Sequence, residues 1–113
     1  MVIGFNMRIA LVCILGVTQL IFSCSQSIEE IEKLPETERG KALYDAKCAS
    51  CHGEDGKLGS SGAKDLSQST LADVEIKNCI LNGNDKGMPP FKDQLGSEEN
   101  LNLLVAYVKS LRK

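Results

Sequence analysis

At 113 residues the chain has room for one small domain and no second. A net charge of −2, with no block of Lys or Arg, excludes electrostatic nucleic-acid binding and polybasic attachment to a membrane surface. There is no Trp, and after the N-terminal Phe5 and Phe22 the aromatic residues are Tyr44, Phe91 and Tyr107. Aromatic side chains bury roughly 150–250 Å² each, so this is a thin core that an apolar group from outside the sequence would help to fill.

Residues 1–23 hold one charge, Arg8, while the 12 basic and 15 acidic groups of residues 24–113 leave that part at −3. Ile9 to Phe22 is mostly apolar, interrupted by Thr18 and Gln19. It is short for a membrane span, which needs about 20 residues, and fits the apolar core of an export signal. Met7 is a plausible start that would put Arg8 second. The closing Ile21-Phe22-Ser23-Cys24 resembles a bacterial lipoprotein signal, which implies that residues 1–23 are removed and that Cys24 carries lipid. Phe22 and Ile21 depart from the residues usual there. Ordinary cleavage beside an incidental Cys and an uncleaved anchor are the alternatives, and all three place the domain outside the cytoplasm. Residues 24–34, with Glu29, Glu30 and Glu32, read as a polar tether. The domain is expected over residues 35–113, with no internal repeat.

Pro35 followed by Glu36 and Glu38 marks a helix start, because Pro suits the first turn and acids suit the N-terminal dipole. Gly40, Leu43, Tyr44, Lys47 and Cys48 share one face of that helix. Four glycines at 53, 56, 59 and 62 then predict a loop. Leu71 to Leu81 is a second helix, with Leu71, Val74 and Ile80 expected inward, ended by Asn82-Gly83. Asn84 to Gly96 is loop, including Pro89-Pro90. Ser97 caps the last helix, Glu98 and Glu99 fill its first turn, and Leu101, Leu104, Val105, Val108 and Leu111 form its apolar stripe. Nothing alternates as a strand would, so the class is all-α and rich in loops.

The chemistry lies in Cys48-Ala49-Ser50-Cys51-His52, the Cys-x-x-Cys-His spacing of covalent c-type haem attachment. Two thiols on one helical turn can each form a thioether with a haem vinyl group, and the next residue offers its imidazole to the iron. His52 is the one His of the chain. Two rivals share these residues. A thioredoxin-like dithiol needs a βαβ context that is missing. A zinc site from Cys48, Cys51, His52 and Cys79 needs adjacent Cys51 and His52 to bind together. Met88 is the candidate sixth ligand, since Met1 and Met7 lie in the signal and Pro89-Pro90 would stiffen its loop. A Met that merely fills a gap in the packing is the alternative.

Over roughly residues 36–112 the sequence resembles a class I monohaem cytochrome c. The resemblance rests on Cys48 to Gly53, on Asn82-Gly83 followed by Gly87-Met88-Pro89-Pro90-Phe91, on Gly40 with Tyr44, and on Val105-Ala106-Tyr107-Val108. It implies a small fold of three or four helices and loops wrapped around one covalent haem c, with Gly40 meeting the last helix near Tyr107. It also implies a single-electron carrier, not an enzyme, that works as a monomer between a protein donor and a protein acceptor; the lipoprotein-like signal adds the expectation that it is tethered through Cys24 in the periplasm. Many relatives place a proline after the haem-binding His, whose carbonyl accepts from the imidazole. Here there is no proline between His52 and Met88, and Lys64 stands where it is often found. Some carbonyl of the glycine loop is expected to serve instead. Lys47, Lys86 and Lys92 near the expected haem edge are matched by Glu54, Asp55, Asp85 and Asp93, so the charge gives no docking sign. Cys79 is left over and reads as a small buried helix residue. A haem sensor or small haem enzyme, with an open iron position, is the competing function.

Overall fold

The computed structural model describes residues 26–113; the expected signal and the expected lipidation at Cys24 lie outside them. Among the described residues there are five α-helices, α1 (Ile28–Ile31), α2 (Glu36–Lys47), α3 (Ala49–His52), α4 (Asp73–Asn82) and α5 (Glu98–Ser110), and no strand. Short 3₁₀ turns at Ser60–Gly62, Leu66–Gln68 and Lys92–Gln94 punctuate the loops. No helix among them is long and apolar enough to cross a membrane.

The pairing of α2 with α5 organises the domain. Helix α2 starts immediately after Pro35, with Glu36 and Glu38 in its first turn, and buries Gly40, Leu43 and Tyr44, the i, i+3, i+4 set of one face. Helix α5 is capped by Ser97 Oγ, which accepts from the Asn100 amide at 3.2 Å, and buries Leu101, Leu104, Val105 and Val108. A Cβ added to Gly40 would lie 2.6 Å from the Leu103 carbonyl oxygen and 3.4 Å from Tyr107 Cβ, so the lack of a side chain at 40 lets the two backbones touch. Tyr44 and Tyr107 close the crossing with ring centroids 5.1 Å apart and planes tilted by 52°. Gly40→Ala is therefore expected to destabilise the fold. Overpacking costs about 1–3 kcal/mol, alanine's helix propensity returns only ~1 kcal/mol, and the obstacle is backbone. A lower melting temperature checks this, and an unchanged or higher one contradicts it.

Two expectations differ from what is found. Helix α4 turns Ile76 and Ile80 to the core, while Val74 is 71% exposed and Leu71, which precedes the helix, is 40% exposed. Val74 stands two residues, about 200° of rotation, from Ile76. Helix α4 has apolar residues on more than one side, and the i, i+4 pair decides which side packs. The second difference lies within residues 24–34. Helix α1 folds back onto the domain with Ile31 fully buried in the main core cluster. Asn100, itself fully buried, donates through Nδ2 to the Leu95 carbonyl at 2.7 Å and to Glu32 Oε1 at 3.2 Å, which fastens this segment to the start of α5.

Candidate cofactor site

The first half of the site is one turn of chain. Cys48 closes α2, its amide donating to the Tyr44 carbonyl at 2.8 Å, and the Cys51 and His52 amides donate back to the Cys48 carbonyl at 3.2 and 3.0 Å. Cys48 and Cys51 are thus three residues apart on a helical turn, the spacing that puts two side chains on one face. Cys48 is buried in the core, Cys51 is exposed, and His52 is half-buried. Neither thiol, nor that of Cys79 on α4, is in a disulfide. Burial pushes the Cys48 thiol up to about 12. That is opposite to the lowered pKa that a dithiol oxidoreductase needs for its attacking thiolate.

His52 is held by the backbone around it. Its Nδ1 lies 2.9 Å from the Lys64 carbonyl oxygen. A carbonyl can only accept, so Nδ1 carries the proton and Nε2 keeps its lone pair for a ligand. This answers the question raised by the missing proline: the acceptor is the carbonyl of Lys64 itself. The His52 carbonyl accepts from the Leu58 amide at 2.9 Å, and the Tyr44 hydroxyl donates to the Gly53 carbonyl at 2.7 Å. Gly53 turns the chain away at φ 81°, a conformation that favours glycine. Among the described residues no three His, Cys, Asp or Glu side chains converge as a metal-ion site, so Cys79 does not join Cys48, Cys51 and His52 in a zinc set.

Met88 comes from a separate loop, built on the end of α4. Gly83 has φ 68°, and a Cβ there would lie 2.3 Å from the Met88 carbonyl oxygen. The loop is pinned by Asn84. Its amide donates to the Met88 carbonyl at 3.0 Å, and its Oδ1 accepts from the amides of Lys86 at 2.9 Å and Met88 at 3.2 Å. Phe91 then returns to α4 through its amide and the Ile80 carbonyl at 2.9 Å. Met88 is half-buried and packs against the apolar cluster that contains Cys48. Asn84 and Tyr44 are the residues with site roles that the sequence reading did not assign. Asn84 carried a usable signal, since Asn after a helix-ending Gly favours an Asx turn. The Tyr44 hydroxyl carried none, because its partner is a backbone oxygen nine residues on.

The residues present fit a covalent haem: two thiols on one turn, an imidazole with its far nitrogen free, and a thioether on a braced loop against the same cluster. The family described as cytochrome c oxidase, cbb3-type, subunit III matches residues 35–108. The chain belongs to this family. It is 33% identical over 92 residues to the cbb3-type cytochrome c oxidase subunit CcoP of Rubrivivax gelatinosus, an alignment covering 77% of this chain and 30% of that protein. It therefore spans about 30% of the curated relative's length. The solved structure of the KustC0563 c-type cytochrome superposes with a TM-score of 0.58 at 32% identity, covering 66% of this chain and 98% of that one. As a cytochrome c-type domain of the cbb3 subunit III family, the protein takes covalently bound haem c and serves electron transfer. The all-helical fold expected from the sequence is found among the described residues, and it superposes on the KustC0563 c-type cytochrome.

Proposed function

We propose that the domain, residues 35–113, carries one haem c joined to Cys48 and Cys51, whose iron His52 Nε2 and Met88 Sδ would hold, and moves single electrons without bond chemistry of its own. Bound haem supplies an iron that alternates between ferric and ferrous, gaining one electron from a donor and yielding one to an acceptor. The observation that carries the reading is the 2.9 Å contact of His52 Nδ1 with the Lys64 carbonyl, which fixes the ring tautomer and leaves Nε2 for a ligand. Met88 Sδ would supply the second ligand, its backbone braced by Asn84 and Gly83. Iron held by both side chains would lack the open position that substrate activation needs, which favours electron transfer. A neutral thioether favours the ferrous state and raises the potential.

We further take Cys24 as a lipidated residue, residues 1–23 as a removed signal, residues 24–27 as the link to the anchor ahead of helix α1, and the working place as the periplasm. The relative's name, an oxidase subunit, supports protein partners of the oxidase or reductase class, served here by a monomeric carrier. Acidic acetone extraction of the denatured protein tests the attachment. The red pigment is expected to stay with the polypeptide, and its release would show that the attachment is not covalent. Intact mass of the membrane-bound form tests the anchor: acyl groups on Cys24 and no residues 1–23 are expected, and an unmodified, fully soluble chain in the native host contradicts it.

A further inference from the structure

We infer that Asp65 is a positioning residue that sets the reduction potential through the Lys64 carbonyl. The inference rests on the reading of His52 as an iron ligand. The carbonyl facing His52 belongs to the peptide between Lys64 and Asp65, so the torsions on either side of that peptide aim it. On the N-terminal side a short turn, with the Gly62 amide on the Gly59 carbonyl at 3.3 Å and the Ala63 amide on the Ser60 carbonyl at 3.0 Å, ends before Lys64. Gly59, Ser61 and Gly62 have φ of 66°, 52° and 80°, and there is no proline. On the C-terminal side Asp65 is tied down. One carboxylate oxygen accepts from the Ser67 amide at 2.9 Å and from Ser67 Oγ at 2.6 Å. Ser67 is 2% exposed and its carbonyl accepts from the Lys113 amide at 3.3 Å, while the Leu66 amide reaches the Gly56 carbonyl at 2.8 Å. The Asp65 carboxylate thus fastens the C-terminal end of the glycine loop to a buried serine, by hydrogen bonds where a proline ring would act by covalent restraint.

The chemical consequence follows from the hydrogen bond. A well-aimed acceptor on Nδ1–H makes the imidazole a stronger electron donor, which favours ferric iron. Loss of the Asp65 cap lets the carbonyl swing away, weakens that bond and favours ferrous iron. Loss of a negative charge would act in the same direction, so two variants are needed. Asp65→Ala removes both the charge and the acceptor. Asp65→Asn removes the charge and keeps an oxygen able to accept from Ser67.

The test is performed on the haem-loaded protein, with potentiometric titration and the solvent-exchange rate of the His52 Nδ1 proton by NMR. For Asp65→Ala, the ferrous-to-ferric ratio at the wild-type midpoint is expected to rise several-fold from unity, and the ring proton to exchange faster. Asp65→Asn is expected to keep the wild-type exchange rate and to shift the ratio by the charge effect alone, less than Asp65→Ala does. Equal shifts in the two variants would reduce the effect to charge and overturn the inference. A lower melting temperature for Asp65→Ala, with potential and exchange unchanged, would also overturn it, leaving Asp65 a structural cap. Should Asp65→Ala not fold, Ser67→Ala removes the shorter of the two bonds and keeps the amide. A smaller shift in the same direction supports the inference, and no shift overturns it. The haem-shifted NMR signals of the wild-type His52 ring report ligation separately, so failure of the ligand reading is distinguishable from failure of the positioning role.

Discussion

Replacing Met88 with alanine is expected to open the sixth iron position: the reduction potential falls and the ferrous protein binds carbon monoxide rapidly and stoichiometrically, while wild type binds it poorly at neutral pH. The fall follows from losing a neutral thioether that favours ferrous iron. The fold should survive. Met88 is half-buried at the border of the core, so the cost lies below the about 2–5 kcal/mol of truncating a fully buried Met. Its loop is held from the backbone, by Asn84 and by the Phe91 amide on Ile80, not by the thioether. Carbon monoxide titration with visible spectroscopy reads the result. Equal binding by wild type and Met88→Ala would mean that Met88 is not a ligand.

The joint change Cys48→Ser and Cys51→Ser is expected to have the larger effect on folding. Cys48 belongs to the buried apolar cluster with Leu43, Tyr44 and Leu104. Serine there places a hydroxyl in an apolar setting, which costs about 1–3 kcal/mol when it finds no partner. The domain's core is also thin, and it leaves Leu58 61% exposed as well as Leu71 and Val74. Losing a covalently held apolar ring removes burial that a domain of this size can hardly spare. The variant should show little pigment on a denaturing gel and a strongly reduced thermal transition by circular dichroism. A pigment-free protein that melts like wild type would contradict the claim that the haem completes the core.

What the sequence made legible is what short-range spacing determines. The Cys48–Cys51–His52 turn, the Ser97 cap and the α5 stripe are set within a few residues or by one helical period, whereas the contact of Gly40 with Tyr107, also found, was expected only from the family resemblance. The inward face of α4 was not legible, because Val74 and Ile76 both look like core residues until the packing partner is known. Helix α1 was hidden for a related reason. Ile28 and Ile31 sit among glutamates and look like spacer, and only the buried Asn100, donating to Glu32 from 68 residues away, shows what holds them. At the site, the need for an acceptor on His52 could be stated from the missing proline, and Lys64 stood at the right place. The acceptor itself is a backbone carbonyl, which leaves no mark on side-chain identity. Its bracing by Asp65 and Ser67 was visible only once the loop was folded.

The absorption spectrum of the purified ferric wild-type protein is the most direct test of the central claim, that a His52–Met88 pair closes the iron of a single-electron carrier. A low-spin spectrum with the weak long-wavelength band of methionine sulfur bound to ferric iron is the predicted result, with that band absent in Met88→Ala. A high-spin ferric spectrum without the sulfur band would contradict the account, and would point instead to a sensor or enzyme with an open iron position.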